Sequence, residues 1–292
     1  MHVDVKRGRP AAAGLGSSDC GDRPMLDLSV LHRPGSPEEA VRSFAETDGT
    51  GLYIGGGTIV VRAGSPNLDF LVDLSDAGMS YIRSESRNLV LGSTVTVGSL
   101  TRSFEACGVA SGVLCEAALA VANHAVRNIA TVGGNIVGWP FPTDLPVALL
   151  VLDAVLVMQG TDGRREVPLT EFFTNRRAVF SKGDLVVEVR VPMRGHDYDA
   201  SFEKIGRKKL DIAVANAAAG LRVEAGKVMD ASVAVGGLGA PPARFAECEA
   251  FLAGKPATES VFGEAGQMVA GAVEPRSDHR ASGDYRRKAA AV

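Results

Sequence analysis

The chain has no Cys-x-x-Cys pair, no Gly-x-Gly-x-x-Gly, no Gly-x-x-x-x-Gly-Lys-Ser/Thr and no long uninterrupted apolar run. Each absence removes a class of protein. Cys20, Cys107, Cys115 and Cys248 are dispersed, so the sequence gives no basis for a zinc site or an iron–sulfur cluster held by this chain alone. Four scattered cysteines in a chain of this size read as free thiols in a reducing cytoplasm. The missing glycine fingerprints disfavour a Rossmann dehydrogenase and a P-loop ATPase. The most apolar run, Leu145 to Met158, contains Pro146 and Asp153 and is too short to span a bilayer. Lys6, Arg7 and Arg9 are followed by Ala and Gly and then by Asp19 and Asp22, which fails as a secretory signal. A net charge of −3 without an extended basic region speaks against nucleic acid as a partner. The histidines, His2, His32, His124, His196 and His279, stand in no catalytic spacing.

What is present is apolar content and glycine. The chain has 292 residues, 46% of them hydrophobic, enough for a substantial core in two or three domains. Residues 1–24 are rich in Gly, Ala and charge without periodicity and are read as a disordered arm. Patterned sequence begins at once after Met25, which suggests an alternative translation start; a native peptide from upstream of Met25 would refute this. His32 to Pro37 reads as a turn, with Ser36 as N-cap and Pro37 in the first turn of a helix over 38–46. Strands are expected at 51–54, 70–74, 80–83, 88–92 and 94–97. Helices are expected at 98–107, 113–126 and 144–152. A hairpin around Thr161-Asp-Gly163 and a strand over 185–191 complete this part. Strands over 201–204, 213–223 and 228–236 follow, then helices over 245–252, 260–272 and 282–290. The alanine-rich stretch from Asn216 to Gly220 also admits a helix.

Two glycine segments carry the chemistry. Ile54-Gly55-Gly56-Gly57-Thr58 leaves a strand, so its successive N–H groups can point at one anion, and Thr58 adds a hydroxyl donor. Plain turn geometry accounts for such a cluster as well. In Ala130-Thr-Val-Gly-Gly-Asn135, read as an irregular loop, Thr131 offers a hydroxyl, Gly133 and Gly134 offer unobstructed amides, and Asn135 offers a side-chain amide. Asp144 is placed to cap the next helix and to accept hydroxyl hydrogen bonds from a sugar or ribityl chain. Two such loops can approach a diphosphate from two sides.

Arg127-Asn-Ile-Ala-Thr-Val-Gly-Gly-Asn135, followed by Thr143-Asp-Leu-Pro146, resembles the second flavin loop of the FAD-binding medium subunits of molybdenum hydroxylases, the group of xanthine dehydrogenase and carbon monoxide dehydrogenase. Ile54-Gly-Gly-Gly-Thr58 is similar to the family's first loop. Phe202-Glu-Lys-Ile-Gly-Arg207 with Asp211-Ile-Ala213, Val235-Gly-Gly-Leu-Gly239, Asp284-Tyr-Arg-Arg287 and His32-Arg-Pro34 match further motifs in order. The resemblance runs from about Met25 to the C-terminus. It implies an α+β chain: a two-subdomain FAD-binding fold of the PCMH type over 25–194 (subdomains about 25–79 and 80–194). A small α/β C-terminal domain with a three-stranded antiparallel sheet and helices would occupy 195–292.

The resemblance further implies FAD held by Ile54, Gly55, Gly56, Gly57, Thr58, Thr131, Gly133, Gly134 and Asn135 at the pyrophosphate, and by Thr143 and Asp144 on the ribityl or flavin side. Lys204 would lie near the isoalloxazine, where a cation stabilises the negative charge of a reduced ring; the bland alternative is an exposed strand lysine. Leu185-Val-Val187 would pack against the ring system or simply in a core. The molybdenum cofactor and [2Fe-2S] clusters would sit on a large and a small partner subunit, in a heterotrimer or a dimer of heterotrimers. Two features depart from the pattern: Ile59 stands where a polar residue is usual, and Trp139 lies in an unusual Gly-Trp-Pro-Phe-Pro stretch, either shielding the flavin or packing under the loop. Arg207-Lys-Lys209 is a solvated basic edge or a docking face for the iron–sulfur subunit. Two other readings stay open: a self-contained FAD-dependent oxidoreductase of the related fold, and a structural subunit that has lost FAD.

Overall fold

Ser36 accepts the amide of Glu39 and Pro37 occupies the first turn, so helix Pro37–Glu46 starts where sequence places it. The computed structural model describes residues 28–63, 68–138 and 144–292. The N-terminal arm, Met25, Trp139 and Thr143 lie outside the described residues.

Strands β1 (Val30–His32), β2 (Gly51–Ile54) and β3 (Phe70–Asp73) form a parallel sheet in the order β1-β3-β2. His32 thus closes a strand rather than opening a turn. The helix lays Ala40, Val41 and Phe44 on this sheet, against Phe70 and Val72.

Strands β4 (Ile82–Glu85), β5 (Asn88–Gly92), β6 (Val155–Gly160), β7 (Gly163–Pro168) and β8 (Leu185–Pro192) make an antiparallel sheet ordered β4-β5-β8-β6-β7. Gly163, at a φ of 111°, makes the β6–β7 turn that sequence anticipates. Residues 94–97 are not a strand. Thr96 pairs with Thr131 in an isolated bridge and caps helix Val97–Leu100 by accepting the amide of Ser99. The expected helix over 113–126 is two pieces, Val113–Ala120 and His124–Arg127. Ala122 has a φ of 40° and Asn123 caps the second piece, while Arg127 donates to the carbonyls of Leu119, Val121 and Ala122.

Strands β9 (Tyr198–Ile205), β10 (Ala215–Glu224) and β11 (Lys227–Gly236) form the expected three-stranded antiparallel sheet, and the two-residue β12 (Ala243–Arg244) extends it. The alternation of side chains decides what each face meets. Tyr198, Ala200, Phe202, Ala218 and Ala234 enter the core of the preceding domain, among Val113–Ala120 and Leu145–Val151. Ala215, Ala231 and Val235 face helices Ala246–Leu252, Glu259–Ala272 and Gly283–Ala290. Salt bridges reinforce the seam: Asp153 binds both Arg194 and Arg244, and Arg244 also donates to the Leu150 carbonyl at 2.8 Å.

The structure overturns the reading of four free thiols. Cys107, at the end of helix Phe104–Cys107, is bonded to Cys115 in helix Val113–Ala120. Cys248 is free and buried.

Candidate functional site

The Ile54–Thr58 loop leaves β2 at the edge of a cleft of about 600 Å³. Gly134, Asn135, Asp144 and Lys204 line the same cleft, as do Leu210, Asp211 and Ile212 from the β9–β10 connection. Both glycine segments and the C-terminal domain therefore meet at one cavity. Among the described residues, no backbone acceptor takes the N–H of Gly55, Gly56, Gly57 or Thr58. Gly57 adopts a φ of 67°, which turns this run of donors.

The second segment differs from its expected form. Val132–Val137 is a short helix, with Thr131 as N-cap accepting the amide of Gly134 at 3.1 Å. The Gly133 amide donates to the Ser93 carbonyl at 2.8 Å, and the Asn135 amide to the Thr131 carbonyl at 3.0 Å. The Gly133 and Gly134 amides are thus engaged within the chain, because a helix start uses them for capping and sheet contact. Gly133 packs on Ser93: an added Cβ would meet the serine Cβ at 2.8 Å. What this segment gives the first loop is room. A Cβ on Gly55 would lie 2.9 Å from Thr131 Oγ1, and one on Gly56 only 1.6 Å from the Ile129 carbonyl oxygen. Ile59 reaches across to Gly138, where a Cβ would stand 2.8 Å from Ile59 Cδ1, so the isoleucine serves as packing between the two segments.

Asp144 precedes helix Leu145–Val151 but makes no capping hydrogen bond. Its carboxylate turns instead to the C-terminal sheet. Lys204 Nζ donates to Oδ2 at 2.6 Å and to the Ala120 carbonyl at 2.8 Å; Asn216 Nδ2 donates to Oδ1 at 2.7 Å. Asp144 is 2% exposed. Burial raises its pKa, against the opposing pull of the Lys204 ammonium and of the hydrogen bonds from Lys204 and Asn216. Lys204 is therefore no exposed strand lysine: its ammonium is tied at two points beside the cleft.

Sequence reasoning missed Asn216, which it read as strand or helix filler, and the Ile129 carbonyl, which carries no side-chain signal. It also missed Tyr53 and Arg176. Tyr53 lines the cleft and donates to the Gly183 carbonyl at 2.7 Å; burial, and the charge of Asp184, push its pKa up. Arg176 donates to the Val137 carbonyl at 2.8 Å across the Phe172 and Phe180 rings. Leu185 and Val187 do not line the cleft; they pack with Phe44 and Phe70 in the core beside the β1–β3 sheet. No group of three or more His, Cys, Asp or Glu among the described residues is placed to hold a metal ion. None of their helices is long and apolar enough to cross a membrane.

The FAD-binding domain in molybdopterin dehydrogenase, as a family model, matches residues 25–194, and the CO dehydrogenase flavoprotein C-terminal domain matches residues 200–292. The chain is 30% identical over 259 residues to subunit alpha of the 6-hydroxypseudooxynicotine dehydrogenase complex of Paenarthrobacter nicotinovorans, covering 86% of each chain. It is 27% identical over 274 residues to the glyceraldehyde dehydrogenase medium chain of Sulfolobus acidocaldarius, covering 89% of this chain and 93% of that one. Carbon monoxide dehydrogenase from Hydrogenophaga pseudoflava has a chain that superposes with a TM-score of 0.84 at 27% identity, over 89% of this chain and 92% of that one. With the two family models together matching residues 25–194 and 200–292 around a glycine-lined cleft, the protein belongs to the family of FAD-binding medium subunits of molybdenum hydroxylases.

Proposed function

We propose that this chain binds FAD in the cleft and acts as the electron-transfer subunit of a molybdenum hydroxylase. It would receive electrons from the [2Fe-2S] clusters of a small subunit and pass them to an external acceptor. A large subunit carries the molybdenum cofactor and oxidises the substrate. The three form a heterotrimer or a dimer of such trimers. The observation that carries this reading is the convergence of an open-amide glycine loop and a tethered lysine ammonium on one cleft.

The residues fit the cofactor. The amides of Gly55, Gly56, Gly57 and Thr58 would hold the diphosphate, since glycines let the backbone come close and leave donors for it. Thr131, Gly133, Gly134 and Asn135 would back that loop, and Thr143 and Asp144 would border the ribityl chain. Lys204 sets a positive charge in the wall of the cleft, held by Ala120 and Asp144. When bound, FAD supplies a carrier that takes up and releases electron pairs. The cleft-lining carboxylate of Asp144 is committed to Lys204 and Asn216, which leaves it poorly suited to abstract a proton from a substrate. The second lining carboxylate, Asp211, faces Arg207 at 3.6 Å, and no histidine is among the described lining residues, which favours an electron relay over a self-contained oxidoreductase. Ile59 fits as packing against Gly138, which removes one reason to read the chain as having lost FAD. A cytoplasmic location belongs to the same reading; the Cys107–Cys115 bond is the feature it must accommodate, since reducing compartments disfavour disulfides.

Purification from the native host tests the assignment. The expected result is a yellow chain with flavin absorption, accompanied by two further chains containing molybdenum and iron. A colourless, folded chain would refute FAD binding. A flavoprotein active alone on a small organic substrate would refute the relay.

A further inference from the structure

We propose that Asn216 is a positioning residue for the Lys204 ammonium, acting through Asp144, and that it thereby tunes the charge which the cleft presents to its cofactor. The inference rests on the FAD reading above and deepens it.

The strand register makes the arrangement. Lys204 on β9 and Asn216 on β10 are direct partners across the antiparallel ladder, next to the pair Phe202 and Ala218. Phe202 and Ala218 point into the core shared with the preceding domain. With a period of two, Lys204 and Asn216 fall on that same face. They meet Asp144 there, one donor on each carboxylate oxygen, at 2.6 Å and 2.7 Å. The C-terminal sheet thus holds, as a two-pronged clamp, a carboxylate that belongs to the preceding domain.

The orientation of the Asn216 amide is fixed by this contact. Asn216 is 3% exposed, and its Oδ1 has no hydrogen-bond partner among the described residues. Turning the amide over would aim Oδ1 at the Asp144 carboxylate, acceptor against acceptor. An unpaired buried carbonyl is costly. A residue that bears this cost to present a donor is there for the donor. An apolar residue of the same size would fill the space without the penalty.

The consequence reaches the cleft through Lys204. Its ammonium has three N–H donors. Two are spent, on Ala120 and Asp144, and together they set the direction of the third. While Asp144 is ionised, its charge offsets that of Lys204. Burial already favours the neutral acid, and the Asn216 donor opposes this. Without the donor, the carboxylate loses one of the contacts that favour its charged form, it offsets the lysine charge less, and an electron-rich cofactor beside the lysine is stabilised.

The test is the midpoint potential of FAD bound to the full-length chain, measured by reductive titration against a reference dye. Wild type is compared with Asn216→Leu, Lys204→Met and the double variant. Asn216→Leu is expected to make FAD easier to reduce by about tenfold in the equilibrium, about 30 mV for a two-electron couple. The same change in the Lys204→Met background is expected to do nothing. Asn216→Ser and Asn216→Ala, which differ by one hydroxyl, make the same comparison should the leucine variant not fold, with serine nearer to wild type. No shift, a shift toward harder reduction, or a shift that persists without Lys204 overturns the inference. Wild-type chain that takes up no FAD overturns the functional reading beneath it, so the two failures are distinct.

Discussion

The carbonyl oxygen of Ile129 occupies the place where a side chain on Gly56 would begin, 1.6 Å from the position of its Cβ. A glycine is therefore required not by its own turn but by a neighbour in the turn after helix His124–Arg127, more than seventy positions away. The contact seats the first cofactor loop on the second segment, and it makes the cleft intolerant of the smallest possible addition.

Gly56→Ala is expected to lower FAD affinity by at least about tenfold, or 1.4 kcal/mol, because the backbone at Ile129 must move. Folding should lose about 1–3 kcal/mol from overpacking. Fluorescence titration with FAD and urea unfolding measure the two. Gly263→Ala is the control: it lies inside helix Glu259–Ala272 with nothing within 4 Å of its Cβ, and should stabilise the chain by up to about 1 kcal/mol.

Removing the Lys204 charge should change how stability depends on pH. Burial raises the pKa of Asp144, and Lys204 is the first of the groups that restrain it. In Lys204→Met the folded state keeps the Asp144 proton to higher pH than the unfolded chain, whose aspartates titrate near about 3.9. A group with a raised pKa gives stability below the unfolded value that is lost as pH rises. The deficit of the variant relative to wild type should therefore grow between about pH 4 and pH 7 in urea melts. A deficit independent of pH over that range would show that the carboxylate does not sense the lysine.

Arg286 is fully buried and donates to the Gly237 carbonyl and to Asp278 Oδ1, both at 2.6 Å. It locks helix Gly283–Ala290 onto the segment that leaves β11 at Gly237. Arg286→Met should cost about 2–4 kcal/mol, through an unpaired carbonyl and imperfect packing. Burial alone would raise the pKa of Asp278, but hydrogen bonds from Arg280 and Arg286 outweigh it and hold the carboxyl well below the usual range. Its contribution is thus present above about pH 4, near the unfolded value, and is lost as pH falls further. Asp278→Asn should be less stable than wild type at pH 7 and approach it in acid, as denaturant titrations at both ends would report.

The Cys107–Cys115 disulfide closes a loop with a sequence separation of 8. By the loop-entropy relation, opening it should cost about 2–3 kcal/mol. Thermal melts with and without reductant, and mass spectrometry of non-reduced peptides, check this. Recovery of both cysteines as alkylated free thiols from the native protein would refute the bond.

Strand positions were legible where alternation or a short apolar run bounded by turn residues decided burial. β9 follows from apolar residues at every second position, β5 and β8 from short apolar runs, and the β6–β7 hairpin from Asp162-Gly163. Ser36 announced its helix because a hydroxyl before a helical run has one obvious use. The order of motifs revealed the family, and the cleft joins residues that those motifs name. Three things stayed out of reach. The Val132–Val137 helix was hidden by its two glycines, which argue against helix locally and are outvoted by packing on Ser93. The break after Ala120 depends on a positive φ at Ala122, for which alanine gives no signal. Asn216 sits in an alanine-rich strand, and its meaning appears only when the β9–β10 register puts it opposite Lys204.

Since Lys204, Leu210, Asp211 and Ile212 help to wall a cleft whose other sides come from residues that precede β9, the C-terminal unit is not an interchangeable module. Evolution, or an engineer grafting that unit from a relative, must transplant the carboxylate with its two donors, and Asp153 with its arginines, as matched sets. Recombination at the boundary near residue 195 would otherwise leave charges stranded on either side of the joint.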